Sequence, residues 1–156
     1  MNSHNRVEKL MKINEKIAQR RKEMGISEKE LAEKTGLGIY YYGDVEAYEH
    51  EVMQILELSK FKLICQILDL EPLDLLEGLR EGSDEILNYE PRNMLINRKR
   101  IELGLSEEEL GDKVGFYGRV IHEMEHDPDF LESWCLEDII VLANILDIPK
   151  QVLLNI

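Results

Sequence analysis

The sequence predicts an all-α protein made of two tandem copies of one set of short helices, and three observations carry that prediction. The chain repeats itself: shifted by 79 residues, INEKIAQRRKEMGISEKELAEKTGLGIYYYGDVE (13–46) falls on RNMLINRKRIELGLSEEELGDKVGFYGRVIHEME (92–125), with 12 of 34 positions identical. Further on the offset drops to 78, placing ILDLEPLDLL (67–76) over ILDIPKQVLL (145–154). Within each copy, apolar residues recur at helical spacing between Ser and Gly punctuation, and no segment alternates as a half-buried strand does.

Ile13, Ile17 and Arg21 recur every four residues along a charged segment that stops at Gly25, as expected of an amphipathic helix ended by a glycine. Ser27 with Glu30, and Ser106 with Glu109, have the spacing of capping boxes, in which the Ser oxygen and the Glu carboxylate satisfy free backbone N–H groups. Second helices therefore begin near 28 and 107 and are cut short by Gly36 and Gly115. Third helices are expected over about 39–47 and 118–125. Longer apolar segments follow, VMQILELSKFKLICQILDL and FLESWCLEDIIVLANILDI. Each copy closes on a short helix after Pro72 or Pro149, because proline suits a first helical turn. The expected division is a first domain over 1–80, a linker over 81–91 rich in Gly, Ser and charge, and a second domain over 92–156.

A net charge of −13 argues against loose attraction to nucleic acid or anionic membranes. The charge is uneven: residues 1–80 carry −3 and 81–156 carry −10, whereas 1–36 alone carry +3. An anion-facing surface therefore belongs near the amino end. No apolar run is long enough to span a membrane, and MNSHNRVEKL has no signal-peptide core, so a cytoplasmic location is expected. Cys65 and Cys135 lie in apolar stretches without a CxxC partner and are expected as buried thiols.

The turn segments GISEKELAEKTGL and GLSEEELGDKVGF, set among five short helices per copy, resemble the Cro/C1-type helix-turn-helix family, also called the xenobiotic-response-element family. The resemblance covers nearly the whole chain and implies a tandem pair of five-helix, lambda-repressor-like domains. It also implies two internal ion pairs, Arg21 with Glu46 and Arg100 with Glu125, each joining the first helix to the end of the third across a spacing of 25. In this family the third helix enters the major groove, and dimers read half-sites about one helical turn apart. By alignment, Gly38, Ile39, Tyr40, Tyr41 and Asp44 face DNA in copy one, and Tyr117, Gly118, Arg119, Val120 and Glu123 in copy two. Tyr42, Val45, Ile121 and Met124 fall on the core side.

The chain departs from the family where Glu28 and Glu107 replace a phosphate-touching Gln, since a carboxylate cannot donate a hydrogen bond to phosphate. Leu37 to Leu58 hold five acids and no Lys or Arg, and Val120 to Asp138 hold seven and none. Copy one keeps Arg20, Lys22, Lys29 and Lys34 to flank a groove, with Ile39, Tyr40 and Tyr41 to pack on sugar or a thymine methyl. Copy two keeps Tyr117 and one clear base reader, Arg119.

Three further patterns have simpler readings. GIYYYG resembles a fused form of the GIY-YIG nuclease tripeptides, which belong on separate strands, whereas its surroundings here are helical. HEMEH (122–126) matches a zinc-peptidase pattern, but Glu125 and Met124 already have structural places and His126 lies at a helix end, off the face of His122. Phe61, Leu68, Leu73 and Leu76 read as core, with a share in homodimer contacts as the alternative.

The resemblance thus implies a non-catalytic, sequence-specific DNA-binding transcriptional regulator with no cofactor and no metal. Its expected partner is double-stranded DNA, met through the first domain more than the second, with no membrane partner. The acidic faces and the exposed Ile39, Tyr40 and Tyr41 keep a second expectation open. That alternative is a protein-interaction module on the same fold: an antitoxin, anti-repressor or co-regulator.

Overall fold

A computed structural model describes residues 10–76 and 90–156. Residues 77–89, which hold most of the expected linker, lie outside the described residues. The described chain is all-α, its only extended pairing being one isolated bridge. Copy one comprises α1 (Ile13–Glu23), α2 (Glu28–Thr35), α3 (Ile39–Ala47), a single π turn over Glu51–Ile55, α4 (Leu58–Ile67) and α5 (Pro72–Leu75). Copy two comprises α6 (Arg92–Glu102), α7 (Glu107–Val114), α8 (Gly118–His126), a 3-10 turn over Phe130–Ser133, α9 (Leu136–Leu146) and α10 (Lys150–Leu154).

Local chemistry sets these boundaries. Ser27 and Ser106 accept from the backbone N–H of Glu30 and Glu109 at 3.1 and 3.0 Å. The reciprocal half of the box forms only in copy two, where Glu109 takes the Ser106 N–H at 2.8 Å. In copy one Glu30 instead lies 3.3 Å from Lys34, an exposed pair one turn on, so that box is half of what the spacing predicts. Gly36 and Gly115 end α2 and α7 at φ of 70° and 83°, a conformation a side chain would strain. Asp69 and Asp147, equivalent at offset 78, end α4 and α9 in the same left-handed conformation without glycine. The N–H groups of Leu70 and Ile148 then close onto Cys65 and Ala143 carbonyls, both at 2.9 Å.

The long apolar segments are not single helices. Each breaks into a short turn, two extended residues and a helix, and the break has a partner. Glu57 forms an antiparallel bridge with Cys135, and the Leu58 N–H donates to the Trp134 carbonyl at 2.8 Å. Residues 57 and 135 are equivalent positions of the repeat, at offset 78. An antiparallel bridge between equivalent residues puts a local two-fold axis through the pair. The surrounding contacts obey it: α4 packs on the Phe130–Ser133 turn, and α9, the equivalent of α4, packs on the Glu51–Ile55 turn, the equivalent region of copy one. The interface is therefore isologous, as in a two-fold dimer, yet it lies within one chain.

The buried apolar residues form one cluster running through both copies, from Ile13 and Ile17 to Leu153 and Leu154. Phe61, Leu68 and Leu76 are buried in this core, and Leu73 is half-buried. Across the junction, Glu132 of copy two receives Lys62 Nζ at 2.8 Å from copy one and Arg92 Nη2 at 2.7 Å from its own copy. Burial alone would raise the Glu132 pKa, but those two hydrogen bonds outweigh it and hold the carboxyl below its usual range.

The copies differ in how closely their second and third helices approach. Ala32 of copy one is matched by Gly111, where a Cβ would sit 2.5 Å from the Phe116 carbonyl oxygen and 3.0 Å from the Gly118 nitrogen. Both neighbours are backbone, so α7 and α8 must separate to admit a methyl group. Gly111→Ala is expected to cost about 1–3 kcal/mol by overpacking, although alanine favours helix. Urea denaturation measures it, and an unchanged midpoint would mean that the two helices slide apart freely.

Candidate nucleic-acid interface

The orientation of the third helices follows from which of their side chains the core takes. Tyr42 and Val45 of α3, and Ile121 and Met124 of α8, are buried, as the helical period places them. That leaves Ile39 and Tyr40 outward in copy one, 42% and 89% exposed, with Gly38 and Asp44 also exposed. In copy two Tyr117 is 81% exposed and the Arg119 side chain 87%. Gly118 is buried, Val120 half-buried and Glu123 exposed, with Glu123 3.1 Å from Arg119 Nε one turn away.

Two expected members of the face are engaged elsewhere. Tyr41 is half-buried against the core, and burial first, then the nearby Glu51 and Glu57 charges, push its phenol up. Arg20 donates to the Leu68 carbonyl at 2.9 Å, where it serves the C-terminal end of α4. A basic residue on the first helix had two faces available, and spacing alone did not tell them apart. Lys22, Lys29 and Lys34 are exposed. Lys29 lies 4.0 Å from Glu33, and exposed pairs of this kind contribute little and exchange readily.

Each third helix is locked at its far end. Arg21 meets Glu46 through two donors, Nε to Oε1 and Nη2 to Oε2 at 2.9 Å, and its Nη1 donates to the Ile26 carbonyl at 2.8 Å. Arg100 repeats this with Glu125, Nη2 to Oε2 at 3.1 Å, and with the Leu105 carbonyl at 2.8 Å. In both arginines the hydrogen bond to the carboxylate raises the guanidinium pKa against the opposing cost of burial. The third partner of the carboxylate differs between copies. Glu46 accepts from the Tyr42 hydroxyl at 2.6 Å on its own helix, whereas Glu125 accepts from Asn97 Nδ2 at 2.9 Å on the first helix of its copy. Burial, then the hydrogen bond to Glu46, drive the Tyr42 phenol well above its ordinary pKa. Asn14 and Asn93, identical in the repeat, add a second tie by donating to the Glu46 and Glu125 carbonyls at 2.8 and 3.1 Å. Their identity across the repeat was the only sequence signal of that role.

The substituted glutamates are also accounted for. Glu28, its side chain 51% exposed, lies 3.7 Å from Arg21 Nη2, and Glu107 lies 3.1 Å from His122 Nδ1. Beside it, Glu108 Oε2 accepts the Gly118 N–H at 3.2 Å, so a carboxylate of the chain occupies a donor at the start of α8. The equivalent position in copy one is Lys29, of opposite charge.

GIYYYG spans the start of α3, a helix, and not two strands. His122 and His126 do share a face, contrary to the expectation from their place at the helix end: their ring centroids are 4.2 Å apart, with His126 Nδ1 2.7 Å from the His122 carbonyl. Among the described residues no three His, Cys, Asp or Glu are grouped so as to hold a metal ion. Cys65 and Cys135 are free and buried, and burial pushes the Cys65 thiol up to about 12 and the Cys135 thiol upward. Among the described residues no helix is long and apolar enough to cross a membrane.

No known protein family, curated protein or solved structure matches this chain.

Proposed function

We propose that the chain is a cytoplasmic, non-catalytic, sequence-specific DNA-binding regulator of the Cro/C1 helix-turn-helix type. The observation that carries the reading is the pair of outward, locked helices. α3 and α8 occupy equivalent places in the repeat, each pinned by an Arg–Glu pair, and their exposed side chains are Ile39 and Tyr40 in one and Tyr117 and Arg119 in the other. Rigid helices with solvent-facing readers suit groove recognition, in which base contacts specify and phosphate contacts position. Copy one, with Lys22, Lys29 and Lys34 exposed, is the stronger contributor.

Fluorescence anisotropy on duplexes selected from a random pool tests the proposal. If the three exposed lysines of copy one carry the phosphate contacts, log K falls against log salt with a slope of about −3. Absence of any complex at low salt would rule the reading out.

One observation favours the alternative for copy two. The Glu108 carboxylate at the Gly118 N–H competes with a phosphate approaching α8. A protein-interaction role for copy two, centred on exposed Tyr117, would show as a pulled-down partner lost on Tyr117→Ala while DNA binding is absent.

A further inference from the structure

We infer that one chain, without a second copy, fills a single bipartite and non-palindromic DNA site, with an A·T-bearing half-site under α3 and a guanine-bearing half-site under α8. The inference rests on the DNA-binding reading above and adds to it the stoichiometry and the asymmetry of the site.

The stoichiometry follows from the junction between the copies. A palindrome-reading dimer needs an isologous interface between two chains, and this chain already supplies that interface to itself. Equivalent residues Glu57 and Cys135 pair with each other, α4 and α9 pack reciprocally on the turns Phe130–Ser133 and Glu51–Ile55, and Leu58 donates to Trp134 at 2.8 Å. Lys62 adds an ion pair to Glu132 across the junction at 2.8 Å. Phe61 and Leu68 are spent in the shared core, which removes apolar surface that a second chain would cover. The two reading helices are thus held by a packed junction, and their separation does not depend on the connecting segment.

The asymmetry follows from the residues the duplication has since changed. Tyr40 stands where copy two has Arg119, Ile39 where it has Gly118, and Gly38 where it has Tyr117. Tyr40 and Ile39 offer apolar surface that suits a thymine methyl, whereas the Arg119 guanidinium suits guanine O6 and N7. Lys29 stands where copy two has Glu108, whose carboxylate already holds the Gly118 N–H. Phosphate anchoring therefore comes mostly from copy one, and α8 adds discrimination more than affinity. A palindrome would present one of these two surfaces with the wrong half-site.

The test is selection of duplexes from a random pool with the full chain, followed by native mass spectrometry of the enriched complex. The expected result is a non-palindromic site bound by one chain. Arg119→Ala, at an exposed position, should weaken that site by about 5- to 150-fold and abolish discrimination at a guanine in one half only. Tyr40→Ala should weaken the other half only. Inserting five base pairs between the halves should abolish tight binding, because half a helical turn puts them on opposite faces of the duplex. A palindromic site bound by two chains, or indifference to the insertion, overturns the inference while leaving DNA binding intact. Failure to enrich any sequence overturns the DNA-binding reading and this inference with it.

Discussion

Glu125→Ala is expected to lower the unfolding free energy by about 3–5 kcal/mol, the largest loss available from a single polar residue in copy two. Glu125 ties α8 to α6 at three places: its carboxylate meets Arg100 through two donors and Asn97 Nδ2 at 2.9 Å, and its backbone carbonyl is held by Asn93 at 3.1 Å. Its side chain is 1% exposed, so truncation leaves the Arg100 guanidinium, only 11% exposed, without its anion and without ready access to water. Most of the cost is that stranded charge, because a paired buried ion is nearly balanced by its desolvation. The double variant Arg100→Met with Glu125→Leu should therefore recover much of the loss. Urea denaturation of the two variants separates these terms. A loss below about 1 kcal/mol for Glu125→Ala would mean that the pair behaves as an exposed one.

The Arg–Glu pairs were expected from the helix-turn-helix resemblance, and their spacing of 25 recurs in both copies. Helix starts and ends were legible for a local reason: Ser27, Ser106, Gly36 and Gly115 act on backbone groups within four residues of themselves. Choices among faces were not. Tyr41 is adjacent to both a core position and an exposed one, and it is half-buried against the core. Arg20 found a carbonyl 48 residues away, and no local pattern encodes that distance. The carboxylate's extra donor moved from Tyr42 in one copy to Asn97 in the other, so alignment of the copies hides it: Ala18 and Ile121 stand at the matching positions. The junction between copies was hidden for the same reason. Its clue was the change of offset from 79 to 78, a length change falling between the third helices and the Glu57–Cys135 bridge.

Trp134→Ala is expected to cost about 3–5 kcal/mol and to loosen both copies together. Trp134 stands at the junction, where its ring stacks on Phe116 at 4.5 Å and meets Phe130 edge-on at 6.1 Å. Its backbone carbonyl takes the Leu58 N–H, and its repeat equivalent, Leu56, is fully buried on the other side of the two-fold axis. Removing the indole empties the space between α8's approach segment and the Phe130–Ser133 turn, and that turn carries Glu132, the partner of Lys62 in copy one. A loss of this size is a large fraction of the 5–15 kcal/mol by which a domain is ordinarily stable. Because the buried residues of both copies form one cluster, the wild-type chain should unfold in one transition. The chain's single tryptophan reports it directly: its fluorescence should track helix loss by circular dichroism. Two separated transitions in the wild type, or a Trp134→Ala variant that shifts only half of the helix signal, would show that the copies fold independently. In that case the fixed relation between α3 and α8, on which the single-chain reading of DNA depends, would fail too.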